Sequence, residues 1–440
     1  MLVAQNAVRH PLLDRLSDAR ILTDQLFGLV KPEALYHRPI PERHRIIFYI
    51  GHLEAFDWNL FRERILNLKS FDPDFDRLFA FGIDPVDGGL PSDQPADWPS
   101  LDAVRNYVRR IREALDAQLE AAVLSESGNG FSSSQLLNVA VEHRLMHAET
   151  LAYMFHQLPL DQKVRQPTQP GSAVAVPTTR MIEIPTGAAT LGLARSDSDA
   201  FGWDNEYESH VVAVPAFAID QYPVTNGQYL DFIAAGGYEN RDLWTEAGWA
   251  WKTEHNLSHP VFWTRAGEQW LYRGMFTEAP LPLSAPVYVS HAEACAYARW
   301  AGKSLPTEAQ WHRAAYGSPD GSERPFPWGA DPPDAGRGNF DFQSWDPTPV
   351  NAFPRGQSAF GVFDLLGNGW EWTSSLFEPF PGFEPFSFYP GYSANFFDGQ
   401  HYVIKGGSAR TAACMLRRSF RNWFQAHYQY VYAGFRCVEN

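Results

Sequence analysis

Cysteine and long apolar runs are scarce in this sequence. Its 440 residues include three cysteines, Cys295, Cys414 and Cys437, which are too few for a disulfide framework and favour a reducing compartment. No stretch approaches the roughly 20 apolar residues that a membrane helix needs. The N-terminus also lacks the apolar core of a secretion signal. These features predict a cytoplasmic protein with no membrane partner.

Positive charge is also in short supply. The chain has 36 lysines and arginines against 51 aspartates and glutamates, which gives a formal net charge of −15. A surface of that sign repels phosphate backbones, so we expect no nucleic-acid partner. Aromatic residues are abundant instead, at 15% of the chain with 15 tryptophans. They are suited to a large irregular core or to a pocket lined by rings.

The pattern of residues changes near residue 158. Before it, apolar residues recur at three- and four-residue steps in four runs, near 12–29, 41–68, 100–124 and 132–157, which predicts a four-helix bundle over 1–157. Residues 158–179 contain four prolines and no sustained period, so we expect a linker there. From 180 to 440, short runs such as MIEIPTG and HYVIKGGS alternate with glycine- and proline-rich loops, which indicates an α+β domain.

Three histidines of the predicted bundle are spaced as metal ligands could be. His143 and His147 are four residues apart on one helix, so both imidazoles leave from the same face. His52 lies among apolar residues of another helix and is expected to point inward. Three neutral imidazoles on one side of an ion would leave the opposite positions open for substrates. Glu149 is a candidate to orient one ligand. A polar helical face without a metal is the alternative.

Ordered motifs along most of the chain resemble one known family. They are the His52 helix, the segment His143-x-x-x-His147-x-Glu149-Thr150 and, after residue 180, MIEIPTGAATLGL, YPVTNGQYLDFIAAGGY, WAGKSLPTEAQWHRAA, LGNGWEWTSS, IKGGSAR and AGFRC. The set resembles the sulfoxide synthases of ergothioneine biosynthesis (EgtB-like). This resemblance implies a multidomain α and α+β protein. A DinB-like four-helix bundle would be followed by an irregular, C-type-lectin-like α+β domain of the formylglycine-generating-enzyme type.

The resemblance also implies a chemistry. Enzymes of this family use iron(II) and dioxygen to join hercynine, the trimethylated betaine of histidine, to a sulfur donor at the imidazole C2. Tyr389 corresponds to the family's catalytic tyrosine and Tyr392 to a second pocket tyrosine, whereas Asn422 and Trp423 correspond to a pair that contacts hercynine. A phenol can serve as a general acid, and aromatic faces can bind a trimethylammonium group. The family's iron ligands correspond to His52, His143 and His147.

Three features depart from the family pattern. Members that use γ-glutamylcysteine carry an acidic residue directly after the Asn-Trp pair, where this chain has Phe424. They also carry arginines before the third bundle helix, where Phe71–Pro99 has one arginine and at least six aspartates. Met146 stands where a glutamine commonly precedes the last histidine. Because the first two changes would remove partners for a charged peptide, we expect a selenosugar donor, as in the related selenoneine synthases. A small thiol is the alternative.

Two other classes of enzyme share parts of this pattern. A formylglycine-generating enzyme needs a cysteine pair shortly after the GGS motif. Thr411 and Leu416 occupy those positions here and Cys414 stands alone, so the copper-thiolate ligands are missing. A DinB-type thiol transferase would bind zinc on the same three histidines and use it as a Lewis acid. Oxygen consumption with hercynine would distinguish an iron enzyme from a zinc enzyme.

Overall fold

The computed structural model describes residues 10–83, 89–124, 132–167, 176–197 and 200–439. The chain divides into two compact units, Met1–Gln166 and Pro167–Asn440. This division falls inside the stretch 158–179, although its first residues belong to the first unit, where Leu158 is buried and Lys163 forms a β-bridge with Val30. Among the described helices, none combines the length and hydropathy that crossing a membrane requires.

The first unit is helical. Three of the four predicted runs each contain one long helix, and the run at 100–124 is divided into two. Between the second and third runs lies a further helix that the sequence did not predict. The helices are α1 (Pro11–Phe27), α2 (Ile46–Arg64), α3 (Pro73–Phe81), α4 (Leu101–Asp116), α5 (Leu119–Leu124) and α6 (Ser133–His156). Ser100 and Ser132 cap α4 and α6 by accepting hydrogen bonds from first-turn amides.

Helices α2 and α6 form the centre of this bundle. Buried residues lie on nearly all sides of both helices, which is typical of a helix enclosed by others. Helix α4 instead buries one stripe at three- and four-residue steps, Val104, Tyr107, Ile111 and Leu115. Helix α2 packs against α3, α4 and α6, and α1 packs against α6. Side chains that face one another between α2 and α6 are therefore enclosed by the bundle.

The second unit combines short strands and short helices, which confirms the predicted α+β domain. Its strands are β1 (Met181–Ile184), β2 (Gly187–Leu191), β3 (His210–Val214), β4 (Phe217–Asp220), β5 (Trp263–Ala266), β6 (Gln269–Arg273), β7 (Glu278–Pro280), β8 (Trp370–Leu376), β9 (His401–Lys405), β10 (Asn422–Gln425), β11 (Ala433–Gly434) and β12 (Val438–Glu439). Its helices are α7 (Asn226–Ala234), α8 (Glu246–Glu254), α9 (His291–Trp300) and α10 (Glu308–Tyr316).

The strands of the second unit form four small sheets. Their orders are β1-β4-β12, β10-β9-β8-β11, β2-β3 and β5-β6-β7, and the pairing is antiparallel except between β11 and β8. Helix α10 packs on these sheets and buries Trp311 completely. Strand β10 lies at the edge of the four-stranded sheet. The irregular segment 377–400, which contains Tyr389, joins β8 to β9.

Candidate metal centre and aromatic cluster

The three predicted ligands, His52, His143 and His147, come together inside the first unit, and we call them the histidine triad. Their ligating nitrogens all lie within 4.8 Å of one another. The Nε2 atoms of His52 and His147 are 3.2 Å apart, and the ring centroids of His143 and His147 are 4.5 Å apart. Since α2 contributes one imidazole and α6 the other two, three nitrogen donors converge between the central helices.

The histidine triad is electrically neutral at physiological pH. Burial lowers the pKa of His52 to about 4. Burial and then the neighbouring histidines lower the pKa of His143 and His147 well below the ordinary value. Neutral imidazoles keep a lone pair on one ring nitrogen, which is the form that binds a metal. The donor set therefore fits a divalent ion such as iron(II) or zinc.

A backbone carbonyl orients His52. Its Nδ1 lies 2.7 Å from the carbonyl oxygen of Phe79 on α3, and Nδ1–H donating there leaves the lone pair on Nε2, which faces His147. Gly51 makes this contact possible. A Cβ at Gly51 would lie 2.3 Å from the Phe79 ring, so only glycine lets α3 approach α2 this closely.

Aromatic rings pack around the triad. Phe56 stacks on His143 with centroids 3.5 Å apart, and Phe48 stacks on His52 at 4.7 Å. These contacts restrict rotation of the two imidazoles. Met146 and Glu149, which the sequence also indicated as site residues, lie on α6 together with His143 and His147. Met146 is half-buried and Glu149 is buried. The acceptor that orients His52, however, is the Phe79 carbonyl, which the sequence did not indicate.

A buried charge network lies beside the triad on the same two helices. Arg144 on α6 is 1% exposed and donates to Glu54 at 2.9 Å and to Asp57 at 2.7 Å, both on α2. Arg112 of α4 also donates to Glu54, at 2.7 Å. Burial alone would raise the pKa of Glu54. The positive charges of the arginines, above all Arg144, outweigh this effect and lower the pKa to about 2. The network thus connects α2 to α6 through Glu54 and Arg144, which lie within two residues of His52 and His143.

The aspartates of the segment Phe71–Pro99 have hydrogen-bond or ion-pair partners wherever the structure describes them. Asp76 accepts hydrogen bonds from Tyr107 and Trp58, and Asp93 is paired with Arg38 and Arg45. Asp72, Asp74 and Asp97 also have partners within the bundle, whereas Asp84 and Asp87 lie outside the described residues. The two buried aspartates, Asp76 and Asp93, therefore have partners within the bundle, and the expectation that the segment repels a charged donor stays a prediction.

In the second unit, several of the predicted substrate residues lie in one group of rings, which we call the aromatic cluster. Tyr392 stacks on Trp203 with centroids 4.1 Å apart, lies 5.6 Å from Tyr389 and meets Trp423 edge-on at 5.6 Å. The cluster comprises Trp203, Phe377, Tyr389, Tyr392, Phe396 and Trp423. The segment 377–400 therefore brings both predicted tyrosines to the edge strand β10.

Alternation along β10 separates the other predicted residues from this cluster. Neighbouring side chains of a strand leave from opposite faces, so Asn422 and Phe424 face away from Trp423. Phe424 stacks on Tyr428 with centroids 4.9 Å apart. The side-chain oxygen of Asn422 accepts a hydrogen bond from the backbone of Trp423 at 2.8 Å. The Asn-Trp pair is adjacent in sequence, but its two side chains do not share one face.

Tyr389 is half-buried, and burial followed by the charge of Asp204 raises its pKa to about 12. The phenol therefore keeps its proton at neutral pH, as a proton donor must. Asp204 was not among the residues expected from the sequence. It lies nearly 200 residues from Tyr389, in the stretch FGWDNE, and no spacing rule connects the two positions.

Comparison with known proteins places both units in one family. The DinB superfamily matches residues 15–151, and the sulfatase-modifying factor enzyme 1-like domain matches residues 166–440. Hercynine oxygenase of Mycolicibacterium smegmatis is 33% identical over 98% of this chain and 99% of its own length. The chain belongs to the EgtB-like family. Hercynine oxygenase of Mycobacterium tuberculosis is 38% identical over 76% of this chain and 77% of its own.

One relative is considerably longer than this chain. Ergothioneine biosynthesis protein 1 of Schizosaccharomyces pombe is 30% identical over 94% of this chain, which corresponds to 54% of that protein. Among solved structures, PvdO from Pseudomonas aeruginosa aligns with 62% of this chain and 99% of its own, at 20% identity and a TM-score of 0.38. The family assignment rests on the sequence matches, which extend across both units.

Proposed function

We propose that this EgtB-like protein is an iron(II)- and dioxygen-dependent enzyme that joins the imidazole C2 of hercynine to a chalcogen donor. The observation that carries the proposal is the histidine triad, in which three neutral imidazoles converge with their nitrogens within 4.8 Å of one another. The relatives named hercynine oxygenase support the choice of hercynine. His52, His143 and His147 would bind the iron, and the opposite side of the ion would remain open for substrates.

The bond changes define what the site must supply. The C2–H bond and the S–H or Se–H bond break, one carbon–chalcogen bond forms, and two electrons and two protons pass to dioxygen. If a sulfoxide is formed, four electrons are transferred, one oxygen atom stays on sulfur and the other leaves as water. Bound iron(II) would supply the redox chemistry for dioxygen reduction. The protein must then provide protons, bind the betaine and keep the reacting groups in order.

Three residues of the aromatic cluster have properties suited to these tasks. Tyr389 would act as the general acid, because its phenol stays protonated at neutral pH. Trp423 would contact the trimethylammonium group, which donates no strong hydrogen bond and is attracted to ring faces. Tyr392 would complete the ring surface beside Trp423. Asn422 is not part of this proposed surface, because its side chain leaves β10 from the face opposite Trp423.

We further propose a donor other than γ-glutamylcysteine, with a selenosugar as the first candidate. Phe424 supports this choice, because its ring stacks on Tyr428 and its position offers no carboxylate to a cysteine ammonium group. A selenol is also ionised at neutral pH, whereas an ordinary thiol is mostly protonated. Met146, a soft side chain next to a ligating histidine, is compatible with either chalcogen. A small thiol is the alternative donor.

The test is a side-by-side incubation of protein loaded anaerobically with iron(II). Hercynine is supplied with a selenosugar, a thiosugar, cysteine or γ-glutamylcysteine, while oxygen uptake and product mass are recorded. We expect hercynine-dependent oxygen uptake and the fastest coupling with the selenosugar. Thiol transfer by the zinc-loaded protein without oxygen uptake would instead support a DinB-type transferase. If γ-glutamylcysteine reacts fastest, the donor proposal is wrong but the enzyme class stands.

A further inference from the structure

A buried carboxylate lies behind the aromatic cluster. Asp204 is fully buried and begins a short 3-10 turn, Asp204–Glu206, directly after Trp203. Its Oδ1 accepts a hydrogen bond from the hydroxyl of Ser393 at 2.6 Å. Trp203, the preceding residue, lies beside Phe386 with ring centroids 6.4 Å apart. Trp203 and Asp204 together therefore contact both ends of the segment 386–393, which we call the tyrosine segment.

The residue before Asp204 contacts the same segment. Trp203 stacks on Tyr392 with centroids 4.1 Å apart, and the amide of Tyr392 donates to the carbonyl of Tyr389 at 3.1 Å. Two adjacent residues thus contact the tyrosine segment by different means, one through a hydrogen bond and one through ring stacking. A segment without regular secondary structure needs such contacts to keep one conformation.

The charges near Asp204 are already paired with other groups. Glu206 accepts from Arg417 at 2.5 Å and from Ser419 at 2.7 Å, and Arg421 donates to Glu308 at 3.0 Å. The carboxylate of Asp204 accepts instead from the Ser393 hydroxyl, and its Oδ2 has no hydrogen-bond partner among the described residues. Burial raises the pKa of Asp204 above the ordinary value. A buried charge that is stabilised by a hydrogen bond alone acts strongly on neighbouring groups, since little solvent screens it.

From these contacts we infer that Asp204 is a positioning residue with two effects on the tyrosine segment. Its hydrogen bond to Ser393 fixes one end of the backbone that carries Tyr389, and its negative charge disfavours ionisation of the Tyr389 hydroxyl. The direction of the Tyr389 pKa agrees with this second effect, because the nearby anion adds to burial in raising it. The consequence for catalysis rests on the proposed role of Tyr389 as general acid, but the two physical effects do not.

The charge can be removed without removing the acceptor. In Asp204→Asn the side-chain oxygen can still accept from Ser393, whereas Ser393→Ala loses one anchor and keeps the charge. Tyrosines are replaced with fluorotyrosine, which titrates at lower pH, and the Tyr389 fluorine resonance is assigned from Tyr389→Phe. We expect the pKa of this phenol to fall by about 1 in Asp204→Asn, the size of a nearby-charge effect. The exposed Asp398→Asn is the matched control and should leave it unchanged.

The anchoring effect has its own measurement. In Ser393→Ala we expect faster amide hydrogen exchange within 386–393 and an unchanged Tyr389 pKa, whereas exchange in the bundle helices should stay as in the parent protein. This variant also tests the inference if Asp204→Asn does not fold. An unchanged Tyr389 titration in folded Asp204→Asn, or unchanged exchange in Ser393→Ala, would overturn the inference.

Kinetics then separate this inference from the proposed function. If Tyr389 is the general acid, the alkaline limb of the kcat profile should move to lower pH in Asp204→Asn by the same amount as the phenol pKa. This sign follows because activity is lost as pH rises through the phenol pKa. If the titration moves and the rate profile does not, Asp204 keeps its positioning role and the catalytic role of Tyr389 is wrong.

Discussion

In the first unit the histidine triad lies on two long helices, whereas in the second unit Tyr389, Tyr392 and Trp423 lie on an irregular segment and an edge strand. The helical site is enclosed on several sides, and its imidazoles are fixed by a carbonyl and by stacked rings. The aromatic cluster is half-exposed at Tyr389, Tyr392 and Trp423. Buried helices provide fixed geometry for a metal, and a segment anchored at a few points is suited to binding a substrate.

The largest effect should follow loss of a triad member. His143→Ala removes one of three nitrogens that converge on one point, and we expect iron binding and hercynine-dependent oxygen uptake to fall to background. Metal analysis after anaerobic loading measures this directly. The exposed His37→Ala is the matched control and should retain a full complement of iron. Normal iron content in His143→Ala would refute the three-histidine assignment.

The second-largest effect should follow a change in the buried charge network of the bundle. Arg144→Met leaves Asp57 with the Arg20 guanidinium 3.9 Å away and removes the ionic link between α2 and α6. Loss of one partner from a buried charge network typically lowers the free energy of unfolding by about 3–5 kcal/mol. Urea unfolding of the metal-free protein measures the change. Arg109→Met removes an exposed ion pair with Glu113 and should change that free energy by less than about 1 kcal/mol. Similar losses in the two variants would contradict the role of the network.

Helical periodicity explains which parts of this fold and site could be predicted. The four-residue spacing of His143 and His147 predicts a shared face, and the apolar neighbours of His52 predict that it points inward. The orienting carbonyl of Phe79 could not be predicted, because it is a backbone group on a helix that the sequence pattern did not reveal. Backbone contacts between distant segments leave no spacing signal in the sequence.

Side-chain faces in the second unit and charges in the first unit illustrate the same limit. The Asn-Trp pair reads as one binding element, but strand alternation sends its side chains to opposite sides. Likewise, the aspartates before the third long bundle helix look like a free negative patch. Asp93 is in fact neutralised by Arg38 and Arg45, which lie about 50 residues earlier in the chain. Local composition cannot show which charges will be paired in the fold.

A smaller change should test how the triad is oriented. Helix propensity alone predicts that Gly51→Ala stabilises α2 by about 1 kcal/mol. We expect weaker metal binding instead, because the new Cβ would lie 2.3 Å from the Phe79 ring and displace the carbonyl that orients His52. Loss of such a partner typically weakens metal affinity about 10- to 100-fold. The double variant Gly51→Ala/Phe79→Ala should recover much of that affinity, since the smaller side chain makes room. Competitive titration with cobalt(II) measures all three proteins, and equal affinities would contradict the positioning role.

The smallest effect should come from the aromatic cluster. Trp423→Ala removes one ring from a half-exposed surface and leaves the metal ligands unchanged, so we expect full iron content and weaker hercynine binding. The loss should be about 1–2 kcal/mol, the size of a partly desolvated cation–π contact. Calorimetry of hercynine and of histidine with the parent protein provides the matched comparison, because the two differ in the trimethylammonium group. Trp300→Ala, also in the second unit but outside the cluster, should bind hercynine as the parent does. If hercynine and histidine bind with equal affinity, the cluster does not recognise the quaternary ammonium group, and Trp423 serves only to pack against Phe377.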